Sequence, residues 1–176
     1  MYQITNKPIE IPVGNSGAIL RQFTIEDAPD IFALIDRNRE HLSQHGENTS
    51  DKYKTLDDVE ESIIHPNPDK PFRLRFGIWN DKGQFVGSIN ITPETDNSRK
   101  AEIGYYLGSE FTGQGYMSNA ALTLSSWAFL YDGVDEIYGV VHKDNAASAK
   151  VLMKAGYTET GKEDDDHTIF TLIRPR

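Results

Sequence analysis

Gly113, Gln114 and Gly115 stand between a strand-like segment, AEIGYYLG (residues 101–108), and an amphipathic helical pattern, YMSNAALTL (116–124). Glycine adopts backbone conformations closed to other residues and lets a ligand come close to the main chain. The first amides of a helix have no internal partner and carry the positive end of its dipole. A glycine turn feeding a helix N-terminus therefore suits a phosphate or pyrophosphate, although a plain tight turn has the same spelling. Two more glycines, Gly104 and Gly139, interrupt strand-like segments. Glycine inside a strand marks a bulge or a close backbone approach. One in each of two paired strands would loosen the pairing and admit a ligand, or would merely make room for a facing aromatic ring. Asn145 and Ser148, three residues apart at the head of a helical pattern, can cap that helix.

Periodicity supplies the elements that must position these groups. Residues 16–23, SGAILRQF, read as a first strand. Thr24 then caps a helix, TIEDAPDIFALIDRNREHL (24–42), with Glu26 and Asp27 in its first turn and Ala28, Ile31, Leu34 and Ile35 at helical spacing. The stretch 43–54 is polar and patternless. Thr55 caps TLDDVEESII (55–64), with Val59 and Ile63 on one face and Pro66 beyond its end. Phe72, Leu74, Phe76 and Ile78 alternate as one face of a strand. NDKGQ (80–84) is a hairpin turn, FVGSINIT (85–92) the returning strand, and PETDNSRK (93–100) the turn into AEIGYYL, which makes an antiparallel meander. The helix that follows has Met117, Ala120, Ala121, Leu124, Trp127, Ala128 and Tyr131 at spacings of three and four. EIYGVVH is a strand, and the strand–helix–strand unit predicts a right-handed crossover with its strands parallel. NAASAKVLMKAGY (145–157) is a last helix closed by Gly156. HTIFTLIRP ends the chain with a strand.

Composition removes several function classes. The 176 residues suit one domain, residues 1–176, and 38% hydrophobic with 26% charged residues suits a globular protein. A formal charge of −9 argues against direct nucleic-acid binding and is compatible with a cationic partner such as an amine. There is no cysteine, so disulfides, thiolate metal sites and a cysteine nucleophile are excluded. MYQITNKPIEIP lacks a basic region followed by an apolar core, and no apolar run approaches the roughly 20 residues of a membrane span. No membrane partner and a cytoplasmic location are therefore expected by default. His41 and His45 are four apart without a third metal ligand, the acidic run 163–166 reads as a solvated loop, and Trp79 and Trp127 read as core.

Taken in order, AEIGYYL, GQGYMSNAAL and EIYGVVHKDNAASAKVLMKAGY resemble the GNAT N-acyltransferase superfamily. Within it, the resemblance is to the branch of ribosomal-protein alanine and serine N-terminal acetyltransferases. It spans nearly the whole chain and is strongest over residues 101–157. It implies an α/β domain with a mixed, twisted sheet of about seven strands, flanking helices and a loosened parallel strand pair. The family's turn motif falls on Thr112, Gly113, Gln114, Gly115, Tyr116 and Met117, with departures at Thr112 and Met117. These residues are implied to cradle the pyrophosphate of acetyl-CoA, the cosubstrate, with no metal. Tyr105, Tyr106 and Leu107 are implied to line the acetyl end. Asn145 is implied to hold the pantetheine arm, with Ser148 near the sulfur.

Glu102 matches the segment in which a Glu acts as general base in some members, where an ammonium must lose its proton before attack. Ser148 or Tyr157 would protonate the leaving thiolate, although Tyr157 also reads as a core aromatic. A backbone amide near 104–107 would meet the oxyanion. The implied reaction is direct attack by an amine acceptor, a ribosomal protein or another protein N-terminus. Alternatives are a small amine (a polyamine, amino acid or antibiotic) and a non-catalytic acyl-CoA sensor. A homodimer is compatible with the resemblance, and no residue argues for it independently.

Overall fold

The computed structural model describes residues 7–70 and 73–176. Expectations that fall on residues 1–6 and on Phe72 lie outside the described residues. Eight strands form one sheet in the order β1-β2-β3-β4-β5-β6-β8-β7. They are β1 Glu10–Pro12, β2 Ile19–Gln22, β3 Leu74–Trp79, β4 Phe85–Pro93, β5 Lys100–Leu107, β6 Glu136–His142, β7 Thr158–Lys162 and β8 His167–Ile173. The eight strands agree with the about seven that the resemblance implies, and two short edge strands, β1 and β7, lie outside the strand-like segments read from the sequence. Every residue of β7 is exposed, so its sequence TETGK carries no hydrophobic alternation.

Helices cover both faces. α1 Ala28–Arg37, the single-turn α2 Thr49–Lys52 and α3 Leu56–Ile64 bury Ile31, Leu34, Ile35 and Val59 with Trp79 and Phe85 on one face. α4 Tyr116–Tyr131 and α5 Ala146–Lys154 bury Met117, Ala121, Leu124 and Leu152 against Phe76, Ile89, Ile91 and Ile103 on the other. Thr55 caps α3 as expected, its hydroxyl accepting from Asp58 N at 3.2 Å while Asp58 accepts from Thr55 N at 2.9 Å. Among the described residues, no helix is long and apolar enough to cross a membrane.

All strand pairs but one are antiparallel; β5 and β6 are the parallel pair. Their pairing is brief: Lys100↔Glu136, Ala101↔Ile137 and Glu102↔Tyr138, after which the strands part. The loosened pair expected from the two glycines is present, but neither glycine faces an aromatic ring. A Cβ on Gly104 would come within 3.1 Å of Asn90 Nδ2, and one on Gly139 within 2.9 Å of Leu152 and 3.2 Å of Ile103. Gly104 makes room for the Asn90 side chain, which donates to the Gly104 carbonyl at 3.0 Å. Gly139 makes room for α5.

The first helix is shorter than its apolar pattern predicts. A 3-10 turn, Ile25–Asp27, precedes α1, and α1 ends at Arg37 rather than continuing to residue 42. Asn38 is the cause. It is 4% exposed and donates to the Leu34 carbonyl at 2.9 Å and to Glu110 at 3.1 Å. Its carbonyl oxygen accepts from Ser109 N at 2.9 Å and Ser109 Oγ at 2.7 Å. Arg37 adds an ion pair to Glu110 at 2.6 Å. The end of α1 thereby holds the segment that leads into the Gly113–Gly115 turn. Asn38→Ala removes a side chain that is 4% exposed together with its hydrogen bonds to Leu34, Ser109 and Glu110, and urea unfolding should show a loss of about 1–3 kcal/mol. An unchanged unfolding midpoint would remove Asn38 from this role.

Candidate active site

Where β5 and β6 separate, a groove of about 710 Å³ opens. Its walls are residues 102–107 of β5, residues 139–142 at the end of β6, the Gly113–Gly115 turn and the start of α5. Gly113 and Gly115 have φ of +74° and +84°, the left-handed region that favours glycine. A Cβ at Gly113 would meet nothing within 4 Å, so the turn is open on its outer side. Gly115 is the N-cap of α4, with no side chain capping the helix and no acidic residue in its first turn. The leading amides of a 16-residue helix therefore face the groove without a competing carboxylate.

The implied cofactor contacts sort unevenly along this turn. Thr112, Gly113, Gly115, Tyr116 and Met117 line the groove. Gln114 does not: its side chain folds back and donates to the Glu110 carbonyl at 3.0 Å. Met117, the departure from the family's small residue, is buried. At the other wall, Asn145 is the N-cap of α5 and accepts from Ser148 N at 3.1 Å, so its capping role is real. Asn145 and Ser148 both line the groove as well. Tyr105, Tyr106 and Leu107 do so from β5.

A second cavity, of about 210 Å³, lies on the opposite face of β5, under α2 and α3. Alternation along β5 explains the division. Ile103, Tyr105 and Leu107 pack toward α4 and α5, whereas Tyr106 packs toward α1 and α3. Glu102 and Gly104 share the face of Tyr106. The two cavities meet at Glu102, Gly104, Tyr105, Tyr106, Glu47 and Asn48, which line both. Glu102 is half-buried at this junction. Beyond Glu102, the edge of β5 that faces β6 has no ladder partner, leaving main-chain groups available in residues 103–107.

Tyr105 and Ser148 form a pair that sequence reasoning did not assemble. Their hydroxyls lie 2.8 Å apart. Burial pushes the Tyr105 phenol up to about 12, and its bond to Ser148 acts more weakly in the other direction. Tyr105 is therefore a neutral donor at any ordinary working pH.

Tyr157 occupies a different place from the one implied for a proton donor. It is 2% exposed, its hydroxyl is 2.7 Å from Ser125 Oγ, and it is absent from the groove wall. Burial raises its pKa too. The core reading of Tyr157 accounts for this geometry.

The patternless stretch 43–54 forms the rim over both cavities. His41 and His45 line the groove, and the His45 ring lies 5.8 Å from that of His142, which is 5.3 Å from His167. The fold, rather than spacing, brings these histidines together. In the acidic loop, Asp164 contacts His167 at 2.9 Å and Asp166 pairs with Lys143 at 2.5 Å. Trp79 is buried, with the Arg21 guanidinium 4.4 Å from its ring centroid, and Trp127 packs edge-on against Phe76.

Comparison with known proteins agrees with this layout. Residues 18–158 match the family described as acetyltransferase (GNAT) domain. An uncharacterized N-acetyltransferase of Bacillus subtilis, YoaA, is 27% identical over 168 residues, 90% of this chain and 94% of that one. The spermidine N(1)-acetyltransferase of Escherichia coli is 23% identical over 143 residues, 81% of this chain and 74% of that one. The solved structure of RimL, a ribosomal L7/L12 alpha-N-protein acetyltransferase in complex with coenzyme A, superposes with a TM-score of 0.82 at 19% identity. The superposition covers 94% of this chain and 98% of that one, and at this identity it speaks for the fold.

The open turn tests itself by substitution. Gly115→Val forces a branched side chain into φ near +84° at the head of α4. Calorimetry should show acetyl-CoA binding weakened by roughly 10-fold or more, the scale of one or two lost charge-assisted bonds. Unchanged affinity would move the pyrophosphate away from this turn.

Proposed function

Because this chain belongs to the GNAT acetyltransferase family, we propose that it transfers the acetyl group of acetyl-CoA to the α-amine of a protein N-terminus by direct attack. The observation that carries this reading is the meeting of two cavities at Glu102. One cavity has the open turn and unpaired strand edge that suit acetyl-CoA. The other approaches the same point from the opposite face of β5 and suits the acceptor. The similarity of the fold to RimL, an alpha-N-protein acetyltransferase, supports a protein acceptor.

The residues take the following roles. Amides of the Gly113–Gly115 turn and the first turn of α4 hold the pyrophosphate, and Asn145 holds the pantetheine arm. Glu102 accepts the proton of the acceptor ammonium, which frees the nitrogen lone pair to add to the thioester carbonyl. A main-chain amide on the unpaired edge of β5 meets the developing oxyanion. As the carbon–sulfur bond breaks, Ser148 Oγ gives a proton to the departing sulfur. The nitrogen of the adduct sheds its second proton to solvent as the amide forms, and a solvent proton passed through the Tyr105–Ser148 pair, whose hydroxyls lie 2.8 Å apart, restores Ser148. Chain and reaction thus need no acyl-enzyme, in keeping with the absence of cysteine.

A second reading, acetylation of a small amine, has the spermidine acetyltransferase relative in its favour. Free-thiol release against peptides with Ser, Ala, Met and Asp N-termini, polyamines, amino acids and aminoglycosides separates the two. Release with peptides supports the first reading. Release confined to small amines supports the second. Tight acetyl-CoA binding without release from any amine points instead to the acyl-CoA sensor.

Glu102→Gln should lower kcat by about 10²–10⁴-fold, the usual worth of a positioned base. Acetyl-CoA affinity should be unchanged, and activity should recover partly at high pH as the free-amine fraction rises. Equal activity of variant and parent across the pH range would sink the assignment.

A further inference from the structure

The acceptor-side cavity carries positive charge that an amine does not call for. Arg75 on β3 and Arg73 just before it line this cavity, with Lys52 and Lys70 at its rim. The carboxylates on its wall are Glu47 and Glu102. Glu47 is already committed. Its Oε1 accepts from Thr49 Oγ at 2.7 Å, Asn48 N at 3.1 Å and Thr49 N at 3.3 Å, which starts α2. Glu102 stands at the far side, where the two cavities meet.

Among the described residues neither arginine makes an ion pair, although the charge of Glu102 acts on Arg73 from across the cavity. Arg75 donates to neutral oxygens only, Tyr53 Oη at 3.2 Å and Ser62 at 3.4 Å. Arg73 Nε is buried with no hydrogen-bond partner among the described residues. Neither arginine takes part in an ion pair among the described residues.

The local potential registers this excess. Burial, then the charge of Arg75, holds Arg73 below the ordinary arginine value. Burial would raise Tyr53, but Arg75 and Lys52 outweigh it and bring that phenol below its ordinary value. Two guanidinium groups held together out of water cost free energy until an anion joins them. An arginine also presents a planar fork that matches a carboxylate.

Sheet register fixes where that anion would sit. Arg75 opposes Asn90, and Asn90 opposes Gly104. Thr92, one step along the same face of β4, opposes Glu102. The arginines and the base are thus on one face, two strand spacings apart, roughly 10 Å between Cα atoms. The guanidinium groups and the Glu102 carboxylate line one cavity, which offers an amine the carboxylate and an anion the guanidinium groups.

We propose that the acceptor is an N-terminus with a carboxylate close to its α-amine, supplied by Asp or Glu within the first two residues and docked on Arg73 and Arg75. This rests on the acetyl-transfer reading given above. It also disfavours a polyamine, which would bring a second cation to the same guanidinium pair.

The test compares C-terminally amidated peptide pairs that differ only as Asp/Asn or Glu/Gln at position one or two, with free aspartate as a separate arm. Thiol release should favour the acidic member by roughly 10-fold or more in kcat/KM, residing mainly in KM, the scale of one charged hydrogen bond. Arg73→Gln should abolish the preference, and Arg73→Glu should turn it toward Lys-bearing peptides. Lys70→Gln, an exposed rim change that does not touch the core, should reduce the preference and stands in if Arg73 variants do not fold. Equal kcat/KM within the pairs, with transfer intact, overturns the carboxylate site and leaves acetyl transfer standing. Release from free aspartate but not from acidic peptides keeps the carboxylate site and overturns its peptide source. A binding arm is independent of turnover: acetylated product peptides are titrated into CoA-saturated protein. Tighter binding of the acidic product with no thiol release from any amine keeps the anion site and overturns the transfer reading.

Discussion

The parting of β5 from β6 after Glu102 and Tyr138 is the constraint on which the rest of the site depends. A parallel pair that continued its ladder would close the groove and use up the main-chain groups that face it. Each strand can afford to leave the other because its outer side is secured. β5 pairs with β4 from Ala101 to Leu107, and β6 pairs with β8 from Glu136 to His142. Leu152 of α5 packs against Gly139 where the gap begins, and any larger residue there would collide with it. The same helix carries Asn145 and Ser148 at its start. One wedge thus holds the strands apart and places two polar groups in the opening.

Alternation along β5 then divides the chemistry. A strand sends successive side chains to opposite faces. Glu102 and Gly104 go to the side covered by α2 and α3, whereas Tyr105 goes to the side of α5 and meets Ser148. Acyl transfer to an amine needs a proton taken at the nitrogen and a proton given at the sulfur. In the proposed mechanism, Glu102 as base and the Tyr105–Ser148 pair as donor, on opposite faces of one strand, serve both ends without competing for one proton. Burial raises the Tyr105 phenol to about 12, which keeps its hydroxyl protonated beside Ser148.

What the sequence made legible followed from strong local signals. The meander β3–β4–β5 showed strict alternation between turn residues, α3 showed its capping pair, and α4 and α5 showed apolar spacing with glycine at their boundaries. The elements that escaped have no such signal. β1 and β7 are short edges, and β7 buries nothing. α1 keeps its apolar pattern past Arg37, but Asn38 stops it by bonding to a segment more than 70 residues away. The glycine turn and Asn145 could be found because local spacing defines them. The Tyr105–Ser148 pair and the histidines at the rim could not, since each joins residues far apart in the chain. Tyr157 was the more conspicuous tyrosine by family resemblance, yet Ser125 holds its hydroxyl in the core.

Charge shows the same gap between sum and place. A net charge of −9 suggests a cationic partner, yet the cavity behind Glu102 is lined by Arg73, Arg75, Lys52 and Lys70. The two facts do not conflict. Exposed charges farther away than a Debye length, about 8–10 Å near physiological salt, are largely screened. Groups inside a half-closed cavity act on a ligand at contact and through a lower dielectric. Arg73, just before β3, and Arg75 on it alternate with Leu74 and Phe76, so in sequence they read as the wet side of an amphipathic strand. Only the covering of that side by α2 and α3 encloses them in the cavity where the proposed carboxylate would dock. For the proposed acceptor, the charge that the fold encloses outweighs the charge that the chain carries overall.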